Sequence, residues 1–235
     1  MQFPGLLAAH DGLKSLDMGR RLVIIGAGGF AREVRWLAED IDRGGSDGYS
    51  FVGYVVSDTS RLGPHDSRDD VLGELEWLVR NRDAFDALAI GIGSPAARLA
   101  LSRELSDEFD QESWPALIHP SVVADRSCSF GPGAIVCAGS IATVNVEVGA
   151  QSVVNLSCTI GHEATIGAGC VLNPSVNISG GVKIGDGVLV GTGAQVLQYL
   201  EVGAGATVGA GAVVTKPVAP KTTVVGMPAK PLSRG

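Results

Sequence analysis

Stepping along the chain by sixes from Val148 meets an aliphatic residue every time: Val148, Val154, Ile160, Ile166, Leu172, Ile178, Ile184, Val190, Val196, Val202, Val208 and Val214. Backwards, Ala142, Val136, Phe130, Ala124 and Ile118 keep the phase with weaker residues. Glycine follows the aliphatic at positions 149, 161, 167, 185, 191, 203 and 209. Four residues after the aliphatic the side chain is usually small, as at Ser152, Cys158, Ala164, Cys170 and Ala194. A period of six matches neither the 3.6 of an α-helix nor the 2 of an alternating strand. It matches a triangular prism in which each hexapeptide forms one side, so that a coil has 18 residues and residue n stacks near n+18. The aliphatic points to the axis, and a glycine or another turn-tolerant residue rounds the corner. Coils bury their apolar faces only against one another, so the ends need caps. The tail Val224-Val225-Gly226-Met227-Pro228-Ala229-Lys230 breaks the period and reads as one.

Residues before Ile118 follow another pattern. Leu22-Val23-Ile24-Ile25 reads as a strand entering Gly26-Ala27-Gly28-Gly29, followed by a helix from Phe30 to Glu39. Phe51–Val56 is a second strand and Ala87–Ile92 a third, which ends in Gly91-Ile92-Gly93-Ser94-Pro95 before a helix from Ala96 to about Leu105. Strands alternating with helices predict a parallel α/β sheet that binds ligands beyond the carboxyl ends of its strands. The expected organisation is a leader or disordered arm over 1–20, a Rossmann-like α/β domain over 21–117, and an all-β left-handed parallel β-helix with a C-terminal cap over 118–235. The first glycine turn has two readings, a tight structural turn or a cradle for a nucleotide phosphate at a helix start. The full G-x-G-x-x-G is absent, since position 31 is alanine.

Charge and composition narrow the partners. The formal charge is −7 with no basic stretch, which argues against nucleic acid. No apolar run approaches the roughly 20 residues that span a bilayer. The first twenty residues carry Asp11 and Asp17 and lack a signal peptide's apolar core, so a soluble, cytoplasmic protein is expected. Cys128, Cys137, Cys158 and Cys170 show no C-x-x-C spacing and read as small buried hydrophobes.

A small α/β unit with Gly26-Ala27-Gly28-Gly29 and Gly91-Ile92-Gly93-Ser94-Pro95-Ala96-Ala97-Arg98, then Ile118-His119-Pro120-Ser121, then the prism, resembles one family over nearly the whole chain. That family is the hexapeptide-repeat nucleotide-sugar N-acyltransferases, which include bacillosamine-pathway and perosamine N-acetyltransferases and the sialic-acid O-acetyltransferase-like proteins. The most specific segment runs Val154-Asn155-Leu156-Ser157-Cys158-Thr159-Ile160-Gly161-His162-Glu163-Ala164-Thr165-Ile166-Gly167. The resemblance implies an acetyl-CoA-dependent N-acetyltransferase acting on a nucleotide-linked amino sugar. It implies His162 as base, Glu163 as its partner, Asn155 as a positioning group, and a homotrimer with acetyl-CoA lying between two prisms. Two departures stand out. Val171 occupies the position where the family often has a second histidine. The second strand ends Val55-Val56-Ser57-Asp58, so that Asp58 alone stands in for the family's paired nucleotide-holding aspartates.

Residue chemistry adds its own weight. His162 falls two residues after an inward aliphatic and should point outward at a prism corner. A neutral imidazole can take the amine's proton and return one to a departing thiolate. Glu163 either orients that imidazole or is a solvated carboxylate beside a turn. Eighteen residues on, Gly180 either offers an unobstructed N–H to the thioester oxygen or serves the turn alone. Gly26, Gly28, Gly29, Asp58 and Gly93 are the candidate nucleotide contacts. From Val202 onward there are no acids, while Lys216, Lys221, Lys230 and Arg234 are basic. This tail either attracts the CoA phosphates or is a solvated cap. His119 reads as structural, and His10 and His65 carry no inferable role. Zinc chemistry on such a prism, as in the γ-class carbonic anhydrases, needs three histidines, so no metal is expected. A sugar O-acetyltransferase of the sialic-acid type and a non-catalytic scaffold remain the alternatives.

Overall fold

A computed structural model describes residues 19–44 and 48–232; the segment read as a leader lies almost wholly outside them, as does His10. The N-terminal module is a parallel sheet of four strands, β1 (Arg20–Ile25), β2 (Tyr49–Val56), β3 (Val71–Glu74) and β4 (Ala87–Ile90), in the order β3-β2-β1-β4. Helix α1 (Gly29–Arg43) follows β1, α2 (Glu76–Arg80) follows β3, and α3 (Pro95–Glu104) follows β4. Three strands and two helices lie where the apolar runs predicted them. Strand β3 and helix α2 were not anticipated, because Val71-Leu72-Gly73-Glu74 is too short and too polar for a periodicity signal.

From Leu117 onward the chain winds as the expected β-helix, with two-residue strands paired in parallel at a spacing of eighteen, as in Glu147 with Thr165 and Thr165 with Lys183. Face one stacks residues 117, 135, 153, 171, 189 and 207; face two stacks 123, 141, 159, 177, 195 and 213; face three stacks 129, 147, 165, 183 and 201. The aliphatic row from Val148 to Val214 points inward, and none of it is more than 3 % exposed. Cys158 and Cys170 join that core and Cys137 is buried beneath the module. Burial pushes the Cys137 thiol up to about 12 and those of Cys158 and Cys170 to about 11, so all three act as neutral apolar groups. Strand Thr223–Val225 extends face one, and the antiparallel Lys230–Pro231 closes the end.

One expectation about the corners needs correction. The glycines directly after the aliphatics do not carry the left-handed backbone. Positive φ falls two residues later, at Gln151, Ser157, Glu163, Gly169, Ser175, Gly181 and their equivalents. The first glycines are required by crowding instead: a Cβ on Gly161 would stand 2.6 Å from the Gly180 nitrogen, and one on Gly149 2.6 Å from the Gly167 carbonyl carbon. They let successive coils approach to backbone contact.

The module docks on face one. The outward row Leu117, Ile135, Val153 and Val171 is at most 2 % exposed, packed with Leu22, Ala31, Val34 and Leu37 in one cluster. Burial of each such side chain stabilises by about 1.5–3 kcal/mol. At one edge of that face His119 Nε2 lies 3.3 Å from Asp40 of α1, while Nδ1 accepts from the Ser121 N–H, which makes His119 a junction residue as expected. At the other edge Leu99 of α3 fills the space over Gly169 and Gly187. Beside it Arg98, wholly buried, donates from Nε to Gln151 O (2.6 Å) and from Nη1 to Ile90 O (2.6 Å) and Ile92 O (3.0 Å). Among the described residues no carboxylate pairs with this guanidinium, and burial lowers its pKa to about 9. Arg98 thus ties the last glycine turn of the module to a prism corner. Replacing it by alanine strands three carbonyls and should lower the unfolding free energy by about 3 kcal/mol in urea titrations.

Candidate functional site

His162 lies on the corner between faces two and three, immediately after Thr159–Ile160. Its side chain is 50 % exposed and that of Glu163 62 %, so both project outward as the repeat phase requires. Glu163 has φ of 61°, a left-handed conformation that costs a non-glycine residue about 1 kcal/mol or more. His162 Nδ1 and Glu163 Oε2 are 3.7 Å apart, an ion-pair separation too long for a hydrogen bond.

One coil on, Gly180 is buried beneath the imidazole, and a Cβ there would collide with Nε2, Cε1 and Cδ2 of His162. Glycine at 180 is therefore what allows the ring to fold down along the corner. The Gly180 N–H donates to no other group among the described residues, and its nitrogen lies where a Cβ on Gly161 would come within 2.6 Å. The ladder continues on both sides, with Gly181 N donating to His162 O (2.7 Å) and Tyr199 N to Gly180 O (3.0 Å). A ring nitrogen and a free amide donor thus share one edge of the prism.

Other candidates lie elsewhere. Asn155 stands on the corner between faces one and two, nearly buried, its Oδ1 accepting from Leu156 N (2.8 Å). It is separated from His162 by a full side of the triangle. Val171 is buried on face one under the module, so it offers no position for a second base. The His162 corner is the one opposite face one, and hence the edge farthest from the module within one chain.

The module carries its own cleft, about 240 Å³, beyond the carboxyl ends of β1 and β2, with Gly26, Gly28, Asp58, Arg61 and Ile92 among its walls. Gly26 has φ of +107° and donates to Val55 O, making the sharp exit from β1. Gly28 caps α1, with no atom within 4 Å of where a Cβ would be, and Gly29 opens the helix. Gly93 is equally unobstructed and precedes Ser94, the cap of α3. Asp58 is less free than its position suggested. Its Oδ1 accepts from Ser60 N and Oγ (2.9 and 2.6 Å), which holds the carboxyl below its ordinary range, and Oδ2 pairs with Arg61 at 3.2 Å. Arg61 itself was not anticipated; a lone arginine in a polar loop gives no periodic signal.

The three lysines separate. Lys216 stands on the same edge as His162, three coils on, in a turn after Val214 that is two residues shorter than those before it, since Val218 pairs with Val202; Lys221 turns the next corner, and Lys230 lies in the closing strand. Among the described residues no cluster of three or more His, Cys, Asp or Glu could hold a metal, and no helix is long and apolar enough to cross a membrane.

A family model described as bacterial transferase hexapeptide (six repeats) matches residues 163–198. No curated protein sequence matches the chain. Among solved structures the chain is similar to a mutant perosamine N-acetyltransferase from Caulobacter crescentus in complex with CoA and GDP-perosamine. The two are 28 % identical with a TM-score of 0.78, over 91 % of this chain and 97 % of that one. It is likewise similar to the acetyltransferase domain of PglB from Neisseria gonorrhoeae, at 29 % identity and TM-score 0.78 over 91 % of this chain and 100 % of that one. WeeI from Acinetobacter baumannii gives 27 % and 0.74 over 90 % and 99 %. The six-residue repeat, the family model over residues 163–198 and the solved structures alike along nearly their full lengths converge on one likeness: the chain has the fold and the repeat of the hexapeptide acyltransferases.

Proposed function

We propose that the chain transfers an acetyl group from acetyl-CoA to the amino group of a nucleotide-linked sugar, with His162 as general base. The observation that carries this reading is the edge on which the His162 ring lies over Gly180 while the Gly180 N–H has no partner among the described residues. In that arrangement the sugar amine attacks the thioester carbonyl carbon, and the Gly180 N–H receives the developing oxyanion. His162 takes the proton from nitrogen and passes one to the departing CoA thiolate, leaving an amide and free thiol. Glu163 steadies the imidazolium across 3.7 Å. The relatives support the substrates: the Caulobacter enzyme is solved with CoA and GDP-perosamine, and the Neisseria domain with acetyl-CoA.

The acceptor's nucleotide is assigned to the module cleft at Gly26 and Gly28, with Arg61 beside Asp58 to meet its phosphates, while Gly29 and Gly93 follow the wall residues Gly28 and Ile92 in the chain without lining the cleft themselves. That cleft and His162 belong to opposite sides of one prism. An acceptor held by one protomer therefore meets the His162 edge of a neighbour, which supports a homotrimer whose sites lie between subunits and in which Asn155 reaches the site from the acceptor's side. Lys216 lies where a CoA phosphate would end; Lys221 and Lys230 reach it only from a neighbouring prism.

His162→Ala should lower kcat by roughly 10²–10⁴ with circular dichroism unchanged. Glu163→Ala should cost less, and the double variant much less than the product of the two, since they act as a unit. Wild-type kcat in folded His162→Ala would place the base elsewhere. Gly180→Ala should lower kcat by about 10² or more while leaving the acceptor KM close to wild type, because the new methyl displaces the imidazole. Mixing subunits tests the shared site. His162→Ala and Gly28→Trp, each inactive alone, should regain about a quarter of wild-type activity on random co-assembly, the fraction of sites that draw an intact half from each. Mass spectrometry of products from UDP-, GDP- and dTDP-linked amino sugars then identifies the acceptor.

A further inference from the structure

Two side chains, not one, lie against the Gly180–Gly181 dipeptide. His162 folds toward the C-terminal end over Gly180. Tyr199, two coils further on, folds back over Gly181, where a Cβ would collide with Cδ1 of its ring. Tyr199 is 70 % exposed, and its φ is 57°. The other non-glycine residues with positive φ among the described residues are Asn, Gln, Ser, Glu and Lys, so Tyr199 is the one aromatic placed there. A bulky aromatic held in a left-handed corner, open to solvent, stabilises neither the turn nor the core. Its ring and the imidazole thus lie against adjacent residues of one corner, on the edge that leads to Lys216.

We propose that Tyr199 is a binding residue for the acyl donor, its ring lying along the pantetheine arm just beyond the thioester; this rests on the acyl-CoA reading above. Lengths agree with it. His162 and Lys216 are three coils apart, and adjacent strands are spaced by 4.7–4.9 Å, which gives about 14 Å. The pantetheine arm has the reach of about four extended residues, again about 14 Å. With the thioester at His162 and the phosphates at Lys216, the arm passes across Gln198 and Tyr199. Its planar amides and apolar methyl groups offer the surfaces that an aromatic face packs against.

Tyr199→Asn and Tyr199→Gly both tolerate the left-handed corner, so the prism is retained. Titration calorimetry with free CoA should show about a tenfold weaker Kd in each, with the KM for acetyl-CoA rising in step and the acceptor KM unchanged. Tyr199→Phe should stay within about threefold of wild type, because the ring and not the hydroxyl makes the contact. Wild-type CoA affinity in the Asn and Gly variants, with the oligomer intact by light scattering, overturns the proposal. So does loss of CoA binding that merely accompanies dissociation, which would make Tyr199 a subunit contact. Failure of the wild-type protein itself to bind CoA would instead overturn the acyl-CoA reading.

Discussion

Everything in the prism rests on how closely one coil can lie on the next. Coil backbones meet at corners where a single methyl group would stand within about 2.6 Å of the neighbouring chain, as at Gly161 over the Gly180 nitrogen. That contact holds the ladder at a spacing of eighteen as far as Val214, before the last coil shortens to sixteen, and keeps the inward aliphatic row continuous. It also brings residue n so near residue n+18 that a side chain on one coil governs the room available on the next. The His162 ring can fold over its neighbour only because position 180 carries no side chain.

The three faces are alike in their inward residues and differ in their outward ones. Face three shows Ser129, Glu147, Thr165, Lys183 and Glu201 to solvent. Face one shows Leu117, Ile135, Val153 and Val171, which would expose a continuous apolar strip if the module did not cover it. Docking of the module makes the prism asymmetric: one face is closed, its two edges are clasped by His119–Asp40 and by Arg98 with Leu99, and the remaining edge stays uncovered by the module. The orphan Arg98 charge contributes little by Coulomb attraction. Its value lies in three carbonyl contacts that fix the turn after β4 relative to the prism.

Much of this was legible in the residues. The six-residue period gave the coil length, the inward row, the outward aim of His162 and the cap at Val224–Lys230. The contact between His162 and residue 180 followed from adding eighteen. Less legible was the division of labour among corner residues. The glycine after each aliphatic was read as the turn former, whereas it provides clearance, and the left-handed backbone falls on residues as unlike as Glu163 and Tyr199. Strand β3 and helix α2 escaped notice because four and five residues are too few for a period to show.

By itself, then, the sequence determined the register, because a hydrophobic period is a local property that every coil repeats. Only the tertiary structure decided which outward row meets a partner and which corner stays open. A repeat gives each side of the triangle the same inward signal, so the distinction arises when a separate module selects one face. That selection puts the glycine cleft on one side of the prism and His162 on the other, a separation that depends on the docking of two units and on no spacing between residues along the chain.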